Sequence, residues 1–309
     1  MAAVQVKDLC KKFDNVVALD NVSFEAHESA LFGLIGADGA GKTTLIRILV
    51  TLIAADSGAA LVLGRNVANE HAAIRGSIGY MPQRFSLYQD LSVRENISFF
   101  ADVFGVPARE KNERMEQLLA FSRLDNFKNR RAADLSGGMK QKLALSCALI
   151  HTPTLLFLDE PTTGVDPVSR KEFWAILHDL RRRGITIVVS TPYMDETELC
   201  DDLLFLHKGE VVERGSPQAL TSRYPYDLYR VSCNDASITV PADAQLDPRI
   251  ALMYPTGGSV HVAVKDPSMS QEAVLSIVKN YAAAADCVDR ISPKVEDVFF
   301  IRLVDKGAA

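Results

Sequence analysis

At 309 residues, with 48% apolar side chains, the chain has material for one large domain or two modest ones, each with a packed core. A net charge of −5 argues against a nucleic-acid binder, whose footprint is a basic face. No apolar stretch reaches the length of a membrane helix, and Met1 to Asp8 lacks the basic-then-apolar order of a signal peptide. The chain is therefore expected to be soluble, with any membrane role exercised through a partner. Cys10, Cys147, Cys200, Cys233 and Cys287 are far apart and odd in number, as free thiols in a reducing compartment would be. Neither they nor the histidines have metal-ligand spacing, and no structural zinc is expected.

In chain order, Val4 to Leu9 and Val16 to Phe24 read as strands around a turn at Asp14-Asn15. Phe13, at that turn, is either a packing aromatic or a stacking platform for a nucleobase. Leu31 to Ile35 reads as a buried parallel strand. It runs into Gly36-Ala37-Asp38-Gly39-Ala40-Gly41-Lys42-Thr43-Thr44, the phosphate-loop pattern G-x-x-x-x-G-K-[ST]. Leu45, Ile48, Leu49 and Leu52 then fall on one helix face. The glycines let backbone N–H groups turn toward an anion, and the helix N-terminus points its positive end there. Lys42 supplies a mobile charge for the β- and γ-phosphates, and the Thr43 hydroxyl is placed for Mg²⁺.

Ala59 to Gly64 and Ile78 to Gln83 are further short strands, the second broken by Pro82. Gln83 is a surface amide, or one that ligates Mg²⁺ or orients a water. From Leu87 to about His151 the character is helical. Ser92-Val93-Arg94-Glu95 is a capping box opening a helix through Phe104, and Pro107 starts another to about Leu124. Leu135-Ser136-Gly137-Gly138 precedes a long helix, which makes a second anion site or only a flexible cap. Thr154 to Glu160 is an apolar strand ending in two carboxylates. Asp159 would hold Mg²⁺ through water, and Glu160 would be the general base polarising the attacking water. A helix from about Pro167 to Arg183, a strand from Ile185 to Ser190 and a hairpin turning at Lys208-Gly209 follow. Strands, crossover helices and a phosphate loop in this order specify an α/β fold with a largely parallel sheet.

Together these motifs resemble the ATP-binding subunit of an ATP-binding-cassette (ABC) transporter, over roughly residues 4–220. The signature is the phosphate loop, Gln83, Leu135-Ser136-Gly137-Gly138, Asp159-Glu160 and Gly164-Val165-Asp166. Phe32 to Gly36, Met139-Lys140-Gln141 and Pro293 to Phe300 are similar to the drug- and antibiotic-export branch. The resemblance implies a P-loop ATPase core with a mostly parallel sheet, an antiparallel β subdomain and a helical subdomain at about 87–150. It makes residues 1–220 the ATPase domain and leaves 221–309 as a small α+β appendage. Phe13 would stack on adenine, and Gly36 to Thr44 would cradle the phosphates of ATP. Thr43, Gln83 and Asp159 would surround Mg²⁺, and Glu160 would activate water beside Lys42 and Gln83. Ser136, Gly137 and Gly138 would cap the γ-phosphate of ATP held by a second cassette, with Asp166 at the interface. Two cassettes, identical or not, would close on two ATP molecules. Segment 87–150 and the Gln83 loop would meet a separate membrane-spanning permease on its cytoplasmic face.

The chain departs from the family pattern at Pro192, at Ala37-Asp38 and at Ser29-Ala30, the last in place of the usual Gly-Glu. Pro192 stands where the family usually has a histidine that meets the γ-phosphate, and proline has neither side-chain donor nor backbone N–H. Losing one preorganised donor slows a reaction by roughly 10²–10³-fold, unless Thr191 or a water stands in. Ala37-Asp38 replaces the usual Pro-Asn. Three functions compete: an ATPase powering export, a weakly hydrolysing regulatory cassette that completes a partner's site, and a soluble cassette acting on ribosomes or DNA. The retained Glu160 speaks against the second, and the lack of basic stretches or a fused second cassette against the third. In the appendage, Leu228 to Cys233, Ser237 to Val240 and Ser259 to Val264 are expected strands, with a helix from about Ser270 to Ala285.

Overall fold

Runs such as Leu31-Phe32-Gly33-Leu34-Ile35 have no polar face, which suits strands covered on both sides. The computed structural model places that run and its counterparts in the middle of one sheet. It describes residues 1–84, 87–233, 246–281 and 285–305, and the chain divides into two compact units, Met1–Pro217 and Gln218–Ala309.

The first unit begins with β1 (Ala2–Phe13), β2 (Val16–His27), β3 (Leu31–Ile35) and α1 (Lys42–Leu49). Next come β4 (Ser57–Val62), β5 (Arg65–Asn66), α2 (His71–Arg75) and β6 (Ile78–Met81). Three helices follow: α3 (Val93–Val103), α4 (Ala108–Ser122) and α5 (Gly137–Leu149). The unit closes with β7 (Leu155–Asp159), α6 (Pro167–Arg182), β8 (Thr186–Thr191), β9 (Asp202–His207) and β10 (Glu210–Gly215). A six-stranded sheet has the order β10-β9-β3-β8-β7-β6, parallel except for the β9–β10 hairpin. All residues of β3, β7 and β8 are buried. Strand β8 lies between β3, which feeds the phosphate loop, and β7, which ends at Asp159. The C-terminal ends of these three neighbours therefore meet at one place, the usual ligand edge of an open α/β sheet. An antiparallel sheet, β2-β1-β4-β5, shares a core with it through Val22, Phe24, Phe32 and Leu45.

Helices α3, α4 and α5 enclose their own core, with Val93, Ile97, Leu119, Leu143 and Cys147 buried together. The capping box is present: the Ser92 N–H donates to Glu95 Oε2 (2.8 Å) and the Glu95 N–H to Ser92 Oγ (3.2 Å). Buried Asn96, unremarked in the sequence, ties the preceding loop to α3. Its Oδ1 accepts from the Tyr88 N–H (2.9 Å), and its Nδ2 donates to the carbonyls of Tyr88, Leu91 and Ser92.

The second unit begins within α7 (Pro217–Ser222). It comprises β11 (Asp227–Cys233), β12 (Ile250–Thr256), β13 (Ser259–Val264), α8 (Gln271–Lys279), β14 (Ala285–Ile291) and α9 (Val295–Asp305). The order β12-β13-β11-β14, antiparallel throughout, is that of a split β-α-β sheet. The expected strands at 228–233 and 259–264 are β11 and β13; the one at Ser237–Val240 lies outside the described residues. The helix expected to reach Ala285 ends at Lys279. The alanines there have high helix propensity, but Ala285 instead opens β14 and pairs with Cys233. Strand β12 was hidden by Pro255, which is tolerated because β12 is an edge strand.

Asp297, in the first turn of α9, is 1% exposed. Its carboxylate accepts from His261 Nδ1 (2.7 Å), the Lys294 N–H (2.6 Å) and the Tyr254 hydroxyl. Burial alone would raise its pKa; the bonds from His261, Tyr254 and Lys294 outweigh that and hold it below the ordinary value. A depressed carboxylate stabilises the fold fully above its unfolded value, about 3.9, and the contribution is lost as pH falls through the folded value. Asp297→Ala should cost about 2–4 kcal/mol by leaving buried donors unpaired. Hydrogen exchange at pH 7 should show protection falling in β12, β13 and α9, and acidification below about pH 4 should weaken the same elements in the parent chain.

Candidate nucleotide site

The loop from Gly36 to Gly41 can be built from few residues other than those present. A Cβ on Gly36 would lie 2.3 Å from the Leu206 carbonyl oxygen. Gly41 has φ +107°, and a Cβ there would lie 2.5 Å from the Ala18 carbonyl. Gly41 is the N-cap of α1 and leaves that helix end without a side-chain cap. A cavity of about 300 Å³ opens in front of it, lined by Asp38 to Thr44, Gln83, Glu160 and Val16, Val17 and Ala18 of β2.

Lys42 is 3% exposed. Its Nζ donates to the carbonyls of Gly36 (2.7 Å) and Ala37 (3.1 Å) and pairs with Glu160 Oε1 at 3.0 Å. The ammonium thus sits between two loop carbonyls and one carboxylate. The other Glu160 oxygen, Oε2, accepts from Gln83 Nε2 (2.9 Å) and more distantly from Thr163 Oγ1 (3.4 Å). Glu160 is the anion of the three, and its place is the natural one for a phosphate oxygen.

Asp159 Oδ1 accepts from Thr43 Oγ1 (3.1 Å) and Ser190 Oγ (2.8 Å). Burial pushes the Asp159 carboxyl above its ordinary pKa, against the lowering pull of Ser190 and Thr43. Its Oδ2 is buried without a hydrogen-bond partner. A buried carboxylate oxygen without a donor, on a carboxylate whose other oxygen meets the Thr43 hydroxyl, suits a hard divalent cation. The donor set of Thr43, Gln83 and Asp159 thus fits Mg²⁺.

Several candidate residues do not line this cavity, among them Ser136, Gly137, Gly138 and Asp166, whose expected partner is a second cassette. Phe13 is 45% exposed with Lys11 Nζ 5.3 Å from its ring centre, and the cavity wall on that side is Val16-Val17-Ala18. Gly36 and Ala37 serve Lys42 through their carbonyls. Ser136, Gly137 and Gly138 sit at the start of α5, where Ser136 Oγ accepts from the Met139 N–H (3.3 Å), away from the cavity lining. Asp166 caps α6, accepting from the Ser169 (2.9 Å) and Val168 (3.1 Å) N–H groups.

Thr191, weighed as an alternative to the missing histidine, does not line this cavity. Its fully buried hydroxyl donates to Glu196 Oε2 (2.5 Å) and accepts from the Tyr193 N–H (3.0 Å). Glu196, 2% exposed, also accepts from Thr162 Oγ1 (2.9 Å) and pairs with Arg170 (3.3 Å). Sequence reasoning missed Glu196 because one acid in Met194-Asp195-Glu196 gives no sign of being buried.

A family model described as ABC transporter matches residues 19–163. The Nod factor export ATP-binding protein I of Rhizobium sp. (strain N33) is 40% identical over 223 residues, 72% of this chain and 73% of the relative. The chain belongs to the ATP-binding family of ABC transporters. The probable multidrug ABC transporter ATP-binding protein YbhF of Escherichia coli (strain K12) is 43% identical over 222 residues, 71% of this chain. The chain spans only 38% of that relative's length. Among solved cassettes, cbiO1 from Clostridium perfringens, part of the ABC transporter complex cbiONQ, superposes with a TM-score of 0.67 at 26% identity. That match covers 72% of this chain and 91% of the neighbour. The cassette MJ0796, solved as a dimer in a post-hydrolysis state with ADP and Pi, superposes with a TM-score of 0.63 at 26% identity, covering 69% and 98%.

Within this cassette, Gly41→Ala should both strain the loop and destabilise the unit by more than about 1 kcal/mol. Titration with a fluorescent ATP analogue should find binding lost, and thermal melting should show a lowered midpoint.

Proposed function

We propose that the chain binds and hydrolyses ATP and energises export through a separate membrane-spanning permease, with two cassettes closing on two ATP molecules. The observation that carries this is the convergence of Lys42, Thr43, Gln83, Asp159 and Glu160 at the C-terminal ends of β3, β6 and β7. The loop N–H groups and Lys42 bind and orient the phosphates, and Glu160, freed from Lys42, takes a proton from the attacking water. Thr43, Gln83 and Asp159 would hold Mg²⁺, which when bound neutralises charge developing on the phosphate oxygens. Ser136 to Gly138 are away from the chain's own cavity, which accords with their acting on ATP held by a second cassette, from which the two-cassette arrangement follows.

The permease reading has its own support. Among the described residues no helix is long and apolar enough to cross a membrane. Tyr88, Phe99, Val103 and Phe104 are nonetheless exposed at and before α3, and Tyr88 packs edge-on against Phe99 at 4.5 Å. An exposed apolar cluster of this kind marks an interaction surface. That surface would face the permease, placing the cassette on the cytoplasmic side of the membrane. The export direction follows the printed names of the relatives. The regulatory alternative is not favoured, because Glu160 is retained and held by the two residues a hydrolytic site uses.

Steady-state ATP hydrolysis tests the reading. The rate per chain should rise with protein concentration, and Glu160→Gln should lower turnover by about 10²-fold or more while ATP still binds. Turnover by the parent chain no faster than by the variant, with or without the permease, would remove the ATPase reading.

A further inference from the structure

The backbone at Glu160 is unusual. Its φ is +49°, a region that a β-unbranched acid seldom adopts and that costs of order 1–3 kcal/mol unless the surroundings enforce it. What enforces it is β8. The Glu160 N–H is shared between the Ser190 carbonyl (3.2 Å) and Ser190 Oγ (2.9 Å). The same hydroxyl donates to Asp159 Oδ1 (2.8 Å). One hydroxyl with one donor and a lone pair thus holds both acids, and each use fixes the other.

From this geometry we infer that Ser190 is a positioning residue for the ATPase site: it fixes the Asp159 carboxylate with Oδ2 free and holds Glu160 aimed into the cavity. The inference rests on the ATPase reading but concerns a residue that reading did not use. Without nucleotide, Asp159 and Glu160 have additional donors in Thr43, Lys42 and Gln83. Those are the groups that phosphates and Mg²⁺ would claim. Ser190 is not among them, so its two bonds persist when the others are exchanged. It cannot drift either. Ser190 is fully buried, and the next residue, Thr191, is anchored to buried Glu196. The absence of a histidine at Pro192 makes this hold on Glu160 more consequential, since one fewer donor reaches the site from the same loop.

The test compares the parent chain with Ser190→Ala and with the nearly isosteric Ser190→Cys, so that failure of one variant to fold leaves the other. Ser122→Ala removes a comparably buried hydroxyl that donates only to the Leu118 and Leu119 carbonyls, and it serves as control. Two readouts are taken: kcat and KM for ATP, and Mn²⁺ binding to the complex with a non-hydrolysable ATP analogue, followed by electron paramagnetic resonance. Both Ser190 variants should lose on the order of 10-fold in kcat at nearly unchanged KM, and a similar factor in Mn²⁺ affinity, as supporting contacts to metal ligands do. Ser122→Ala should match the parent in both. A folded Ser190 variant with parental Mn²⁺ affinity overturns the inference. If the parent itself hydrolyses nothing, the proposed function fails, while the Mn²⁺ comparison still decides the role of Ser190.

Discussion

The buried pair of Lys42 and Glu160 is the interaction on which the rest of the site depends. Two full charges, 3% and 6% exposed at their side chains, would be costly apart and are tolerable only together. Each is also hydrogen-bonded elsewhere, Lys42 to the loop carbonyls and Glu160 to Gln83, so neither charge is left bare. The fold supplies this pairing through strand order. Because β8 separates β3 from β7, the loop after β3 and the acids after β7 face each other across one strand width.

The pair explains how one set of side chains can serve two states. Lys42 is held by two carbonyls and one carboxylate, and Glu160 is the anionic partner whose place a phosphate would take. Charge repulsion between Glu160 and incoming phosphate would oppose binding if Lys42 stayed where it is. In the proposed function, transfer of Lys42 to the phosphates would neutralise them and leave Glu160 to act on water. Gln83, which follows β6, would release the other carboxylate oxygen in the same way.

Much of this was legible before the fold was seen. The phosphate loop carries its mechanism in its residue types, and two acids closing an apolar strand have few structural explanations. The capping box at Ser92 and the turn at Lys208-Gly209 are local signals and held as local structure. What the sequence withheld is tertiary. Ser190 reads as the last residue of a strand, and only the neighbouring β7 turns its hydroxyl into a bridge. Glu196 reads as a surface acid until Thr162, Thr191 and Arg170 close over it. Phe13 keeps both of its readings: it is exposed beside Lys11, and its ring is free to pack or to stack. In the second unit, the alanines before Asp286 favour helix locally, yet Ala285 pairs with β11, and Pro255 disguised an edge strand.

The most direct measurement is a structure of the chain with Mg²⁺ and a non-hydrolysable ATP analogue, in which the separation of Lys42 Nζ from Glu160 Oε1 is read. The account predicts that the 3.0 Å contact opens and that Lys42 moves onto the phosphates, with Asp159 Oδ1 still on Ser190. A nucleotide-bound structure in which Lys42 remains paired with Glu160 would contradict it.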